Sequence, residues 1–215
     1  MNLIKYPLLF VYLLILLAPG YVFFQNRGGI GFLVGDFRTF AGLFFPLIGL
    51  YAFTLLWTQL IIGPNAILVR KILTRISRHH HRLGIFVFIL ALSHPILIFI
   101  TYGFEQYLGY NFLPKQLVIY AYLGTIAFGI LTLTVLTAVF SILSSLRTKW
   151  RIFHFLNYFV FALVWIHSWY LGSDIQSTNL KYLWLFFGMT AIISAFLRFR
   201  RTGIKIVFLG PRGQK

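Results

Sequence analysis

The chain contains no cysteine. That absence excludes disulfides, iron–sulfur clusters, zinc–thiolate sites, thiol catalysis and thioether attachment of a haem. Charge is also scarce. Charged residues make up 10% of the 215 residues, against about 25% in a soluble domain. Only three are acidic: Asp36, Glu105 and Asp174. Neither an internal repeat nor a low-complexity stretch is visible.

What fills the chain is apolar. Hydrophobic residues reach 60%, and mean hydropathy is +0.86. The net charge of +16 and pI near 10.5 raise the question of nucleic acid. The distribution of the basic residues answers it. They sit in short breaks between long apolar runs, so no basic face remains for a phosphate backbone. The class is an all-α membrane protein whose partner is the lipid bilayer, with no nucleic acid.

A helix needs about 20 apolar residues to cross the hydrocarbon core. Six segments meet that need: Tyr6–Phe24, Phe40–Ile62, Arg82–Tyr102, Leu117–Leu146, Ile152–Leu171 and Leu180–Leu197. The fourth is long and is expected to tilt or run past the membrane face. The first follows Lys5 as a signal peptide would, but has no clear small-x-small cleavage site after it. The expected organisation is a six-helix bundle made of a first helix and outer loop over residues 1–39 and a transmembrane domain with the other five helices over 40–200, followed by a short basic tail over 201–215.

Charge sets the expected orientation. Fifteen of the nineteen basic residues fall on one side: Lys5; Arg70, Lys71, Arg75, Arg78 and Arg82; Arg147, Lys149 and Arg151; and Arg198, Arg200, Arg201, Lys205, Arg212 and Lys215. The other side has Arg27, Arg38, Lys115 and Lys181 with all three acids. The positive-inside rule puts both termini in the cytoplasm. The protein is expected in a cell membrane, of the bacterial inner-membrane type.

Six histidines stand out: His79, His80, His81, His94, His154 and His167. An ionisable side chain inside a span is costly and is a functional candidate by default. His94 and His167 lie well inside the third and fifth segments. His80 and His154 lie at the cytoplasmic starts of the same two. Both segments run from inside to outside, so the four pair by depth. His80 to His94 is 14 residues, a rise of about 21 Å, and His154 to His167 is 13, about 19.5 Å. Two flat cofactors ligated from both sides therefore fit within a core about 30 Å thick. Neutral imidazole is a good ligand for haem iron.

Angular phase is less tidy. Fourteen residues return to within about 40° of the starting face, whereas thirteen miss it by about 140°. The fifth segment would need His154 on an irregular first turn. The triplet His79–His81 by itself reads as a solvated interfacial cluster supplying one ligand. Arg78, Arg82 and Arg151 lie near the inner level, as haem-propionate partners or as plain positive-inside charge. Gly84, Gly124 and Gly129 either admit a macrocycle or serve helix packing. The tryptophans read as interfacial belt or packing.

Two stretches carry a resemblance: "HHRLGIFVFILALSHP" at His80–Pro95 and "KWRIFHFLNYFVFALVWIH" at Lys149–His167. They resemble the ferric reductase-like transmembrane domain family, which includes NADPH oxidases and iron reductases. The resemblance covers about residues 40 to 200. It selects His80 over His81, through Gly84 four residues on and His94-Pro95 at the far end. Trp150 and Arg151 match the lead-in to the second pair. It implies two b-type haems held by His80, His94, His154 and His167, with Gly84 beside the inner one. It also implies a cytoplasmic flavoprotein or quinol donor and an outer acceptor: ferric iron, oxygen or a periplasmic redox protein. Many members continue into flavin and nicotinamide domains. About fifteen residues follow Arg200 here, with no GxGxxG unit, so no flavin or NAD(P) domain is expected in this chain. The competing expectations are a metal or proton transporter using intramembrane histidines, and a structural haem subunit of a larger complex. The lack of an acid within the spans counts against the transporter.

Overall fold

The computed structural model describes residues 5–28, 36–63, 76–140 and 150–208. Within them the backbone is helical, with no strand. The elements are α1 Lys5–Asn26, α2 Phe37–Ile62, α3 Ile76–Tyr102 and the short α4 Phe104–Leu108. A 3-10 turn over Lys115–Leu117 leads into α5 Val118–Val139, followed by α6 Trp150–Phe155 and α7 Asn157–Leu171. The short α8 Ser173–Ser177 and the long α9 Leu180–Phe208 complete the order. A lipid interior cannot satisfy backbone polar groups, so a spanning segment pairs its own N–H and C=O groups along a helix.

Five helices among the described residues are long and apolar enough to cross a membrane: Tyr6–Asn26, Phe37–Ile62, His80–Tyr102, Lys115–Val139 and Leu180–Arg200. The fifth expected segment, Ile152–Leu171, differs. It is split by a turn at Leu156 into α6 and α7, and α7 alone has 15 residues, about 22 Å of helix. The expected excess length of the fourth segment falls on residues 141–146, outside the described residues.

The three acids lie at one end of the bundle. Asp36 caps α2, accepting a 2.8 Å hydrogen bond from the Thr39 N–H. Hydrogen bonds from Thr39 hold its carboxyl below the usual carboxylate range. Glu105 lies in α4 and Asp174 in α8. We call this the carboxylate end. The opposite, basic end carries Arg82, Arg198 and Arg200 among the described side chains.

The helices pair as neighbouring hairpins, α2 against α3 and α5 against α6–α7, with α9 and α1 packed alongside. Aromatic rings fill the centre. Phe53 of α2 stacks on Phe161 of α7 at 5.0 Å and on Trp184 of α9 at 5.1 Å. Trp57 stacks on Phe187 at 4.5 Å and donates its indole N–H to Thr190 Oγ1 at 2.8 Å. Trp184, fully buried, donates to Ser168 Oγ, and the Trp165 indole donates to the Trp184 carbonyl, both at 2.9 Å. These three tryptophans are therefore packing residues that tie helices together through satisfied N–H groups. Large apolar side chains such as Ile89 and Phe99 on α3, and Met189 and Ile192 on α9, stay exposed. In a bilayer that surface faces lipid.

At the carboxylate end, α1 is clasped to the α7–α9 connection. The buried Asp174 carboxylate receives Arg27 Nη1 at 3.0 Å and Asn26 Nδ2 at 2.9 Å. The Arg27 guanidinium also lies 3.8 Å from the Phe23 ring centre. Removing one partner of a buried pair strands the other, at about 3–5 kcal/mol. Asp174→Ala should accordingly lower the midpoint of thermal unfolding in detergent by several degrees. An unchanged midpoint would show that the clasp contributes nothing.

Candidate functional site

α3 carries His80 and His94, and the α6–α7 pair carries His154 and His167. The four rings meet as two facing pairs. His80 and His154 have centroids 6.0 Å apart, with planes at 74°. His94 and His167 are 6.4 Å apart at 86°. The first pair sits toward the basic end and the second toward the carboxylate end. Of the triplet, His80 is the ring that faces His154. His81 is exposed, and the side chain of His79 lies outside the described residues.

The break at Leu156 explains how residues thirteen apart share a face. The Leu156 N–H bonds the Phe153 carbonyl at 2.9 Å, a three-residue step. α7 restarts with Val160 N–H on the Leu156 carbonyl, also at 2.9 Å. Tightening one turn resets the angular register between His154 and His167.

The carboxylate-end pair is held by main-chain carbonyls. His94 Nδ1 bonds the Phe45 carbonyl of α2 at 2.8 Å, and His167 Nδ1 bonds the Tyr120 carbonyl of α5 at 2.8 Å. A carbonyl oxygen only accepts, so both Nδ1 atoms carry the proton and both Nε2 atoms keep a lone pair. Two glycines make the approach feasible. A Cβ at Gly49 would stand 2.9 Å from the His94 ring, and one at Gly124 would collide with the His167 ring. Each glycine lies one turn beyond the carbonyl used: Phe45 then Gly49, Tyr120 then Gly124.

Between these rings lies a cavity of about 330 Å³, lined by both histidines and by small side chains including Ala91, Ala121 and Ala127. Its volume is at the lower end of the usual range for a small-molecule or cofactor site. Toward the carboxylate end it is bounded by Tyr102, Tyr110 and Phe112, and the rings of Tyr102 and Phe112 stack at 4.1 Å.

The basic-end pair has a different lining. Asn157 of α7 lies with its amide 3.3 Å from His154 Nδ1, and its other amide atom meets Thr134 Oγ1 at 3.0 Å. Gln59 of α2 is buried and donates Nε2–H to the His80 carbonyl at 2.9 Å. Gly84, one turn past His80, faces this amide, with a Cβ position 3.9 Å from Gln59 Nε2. Arg198 of α9 places its guanidinium 5.8 Å from the Tyr158 ring centre, one turn from His154.

Of the arginines read from the sequence, Arg82 is exposed on α3. Arg78 and Arg151 belong to α3 and α6, and their side chains lie outside the described residues. Gly129 has nothing within 4 Å of a Cβ position. The sequence did not mark Gly49, Gln59, Asn157 or the two carbonyls as site groups, and Arg198 counted there only as basic-end charge. A signal existed for Gln59 and Asn157, since each is a polar amide within an apolar run.

Among the described residues no three potential metal-ligating side chains cluster. The arrangement is two opposed pairs of imidazoles. Chemically it can grip a flat group that brings its own equatorial donors.

No curated protein and no solved structure gives a significant match to the chain. A family model does match, the ferric reductase like transmembrane component, over residues 48–165. That span runs from Ile48 of α2 and includes His80, His94 and His154, ending two residues before His167, and a family of this kind points to electron transfer through a membrane. The chain belongs to the ferric reductase-like transmembrane family.

Proposed function

We propose that this protein carries electrons across a bilayer on two b-type haems, with His80 and His154 as axial ligands of the inner and His94 and His167 of the outer. The observation that carries the reading is the separation within the pairs, 6.0 and 6.4 Å between ring centres. A metal–imidazole bond of about 2 Å on each side, plus about 1.1 Å from nitrogen to ring centre, requires about 6 Å. The fixed Nδ1–H tautomers of His94 and His167, and the cavity between them, support the same fit.

When bound, the haems supply the one-electron chemistry, and the protein supplies ligation, orientation and insulation. Phe45 and Tyr120 orient the outer imidazoles through their carbonyls and raise their basicity as ligands. Gly49 and Gly124 keep those rings upright. Phe53, Trp57 and their stacked neighbours brace the surrounding helices. Arg198 and Arg82, with Arg78 and Arg151, supply positive charge near the inner level, suited to propionate carboxylates.

We read Trp150–Leu171 as a further span, fifth in chain order, broken at Leu156. Its 22 positions reach about 33 Å as helix, enough for the core. Six spans with the basic end inward put both termini in the cytoplasm. The donor is then a cytoplasmic flavoprotein or a quinol, drawn in the first case to a basic face. The acceptor lies outside: ferric iron, oxygen or a periplasmic redox protein.

Two tests follow. Gly124→Ala drives a methyl into the His167 ring and should halve the haem content per chain, as should His94→Ala. Pyridine haemochrome analysis reads this directly, and retention of the full complement in Gly124→Ala would contradict the assignment of the outer site. Sidedness is tested in proteoliposomes. A reductant on the basic-end side should reduce both haems, and an impermeant ferric chelate on the opposite side should reoxidise them. Reoxidation only from the donor's own side would end the transmembrane reading.

A further inference from the structure

The two histidine pairs are held in different ways. At the carboxylate end each Nδ1 rests on a main-chain carbonyl, from Phe45 or Tyr120. No side-chain substitution can remove those acceptors. At the basic end the groups next to the imidazoles are side-chain amides, Asn157 beside His154 and Gln59 beside His80.

The hydrogen-bond inventory around Asn157 fixes its orientation. In one amide orientation, Nδ2 points at His154 Nδ1 and Oδ1 accepts from Thr134 Oγ1. Thr134 Oγ1 also lies 2.8 Å from the Leu131 carbonyl, which only accepts. One hydroxyl proton would then have to serve two acceptors. Exchanging the amide oxygen and nitrogen removes the conflict, and such an exchange leaves heavy-atom positions almost unchanged. His154 Nδ1–H then donates to Asn157 Oδ1. Asn157 Nδ2–H donates to Thr134 Oγ1, and the Thr134 hydroxyl donates to Leu131. Every group in that chain is satisfied, and His154 Nε2 keeps its lone pair.

On the other side of the pair, two buried polar atoms have no hydrogen-bond partner among the described residues: His80 Nδ1 and Gln59 Oε1. One is a donor when Nε2 is the ligand atom, and the other is an acceptor. They belong to residues already joined, through Gln59 Nε2–H and the His80 main-chain carbonyl. Buried polar atoms in native proteins are nearly always paired, directly or through an internal water.

We infer that Asn157 and Gln59 are the positioning residues of the basic-end histidine pair, accepting the Nδ1 protons of His154 and His80, Asn157 directly and Gln59 across one bound water. This rests on the haem reading above and adds an asymmetry to it. The outer ligands are set by backbone, and the inner ligands by two replaceable amides. An acceptor on Nδ1–H makes imidazole a stronger donor and favours the ferric state. The side-chain amides are therefore the place where this chain sets the potential of its inner centre independently of the outer one.

The test is a redox titration of the purified full-length protein and its variants, monitored by haem absorption. The inner centre is identified as the one that His94→Ala leaves behind. Asn157→Leu and Gln59→Leu, both uncharged, should each raise the inner midpoint by roughly a tenfold change in the one-electron equilibrium, about 59 mV. The outer midpoint should stay in place. Asn157→Asp and Gln59→Glu keep an acceptor oxygen and should lower it. If both leucine variants retain two haems with unmoved midpoints, the inference is wrong. If a leucine variant sheds the inner haem, the matching acid variant decides. Haem retained at a lowered midpoint supports the role, and loss there too reduces the amide to packing. A wild-type chain with no haem would instead overturn the function proposed above, before any variant is compared.

Discussion

The structure depends on a hydrogen bond made twice, from a histidine Nδ1 to a carbonyl in the middle of a neighbouring helix. An imidazole in a hydrocarbon layer is costly unless its polar atoms are used. Spending Nδ1–H on the Phe45 or Tyr120 carbonyl satisfies one nitrogen and aims the other across the bundle. Each carbonyl already closes its own helical turn, and a second lone pair makes the extra bond possible. The ring has to lie against the helix surface to reach it, which no Cβ one turn later would permit. Histidine, carbonyl and glycine therefore form one unit, and the bundle contains two copies of it facing one another. The pairing of α2 with α3 and of α5 with α6–α7 follows from that unit as much as from apolar packing.

The same constraint accounts for the break at Leu156. A continuous helix would turn His154 away from His167 by about 140°. The tightened turn costs some helical hydrogen bonding, which the Asn157–Thr134–Leu131 contacts at the break offset. Asn157 thus both restarts the helix and meets His154. On α3 the spacing of fourteen needs no such device, and the helix runs unbroken from Ile76 to Tyr102.

Much of this was legible in the residues themselves. Apolar length located the helices, because a lipid core about 30 Å thick imposes its own ruler. Matched depth paired the histidines, because rise per residue is nearly constant. Phase for thirteen residues signalled an irregularity near His154 without showing its form, since a one-residue turn at Leu156 leaves no proline or glycine mark. Among the described residues five long apolar helices emerged where six were expected, for that same reason: the break leaves α7 at 15 residues. The carbonyl acceptors were invisible, because every residue has one. Gly49 was overlooked among ordinary small residues, and its use is apparent only once the His94 ring is placed beside it. Arg198 looked like tail charge because its sequence position lies at the end of an apolar run, while in space it stands beside Tyr158, one turn from His154.

The central claim is that two opposed imidazole pairs each hold one haem. Its most direct measurement is the haem-to-protein ratio of the purified wild-type chain, with low-temperature electron paramagnetic resonance of the oxidised form. The account predicts two haems per chain, both low-spin with two nitrogenous axial ligands. The planes within the pairs, crossed at 74° and 86°, predict the highly anisotropic signal of near-perpendicular imidazoles at both sites. A colourless protein, or one whose haem is high-spin with a single axial histidine, would contradict it.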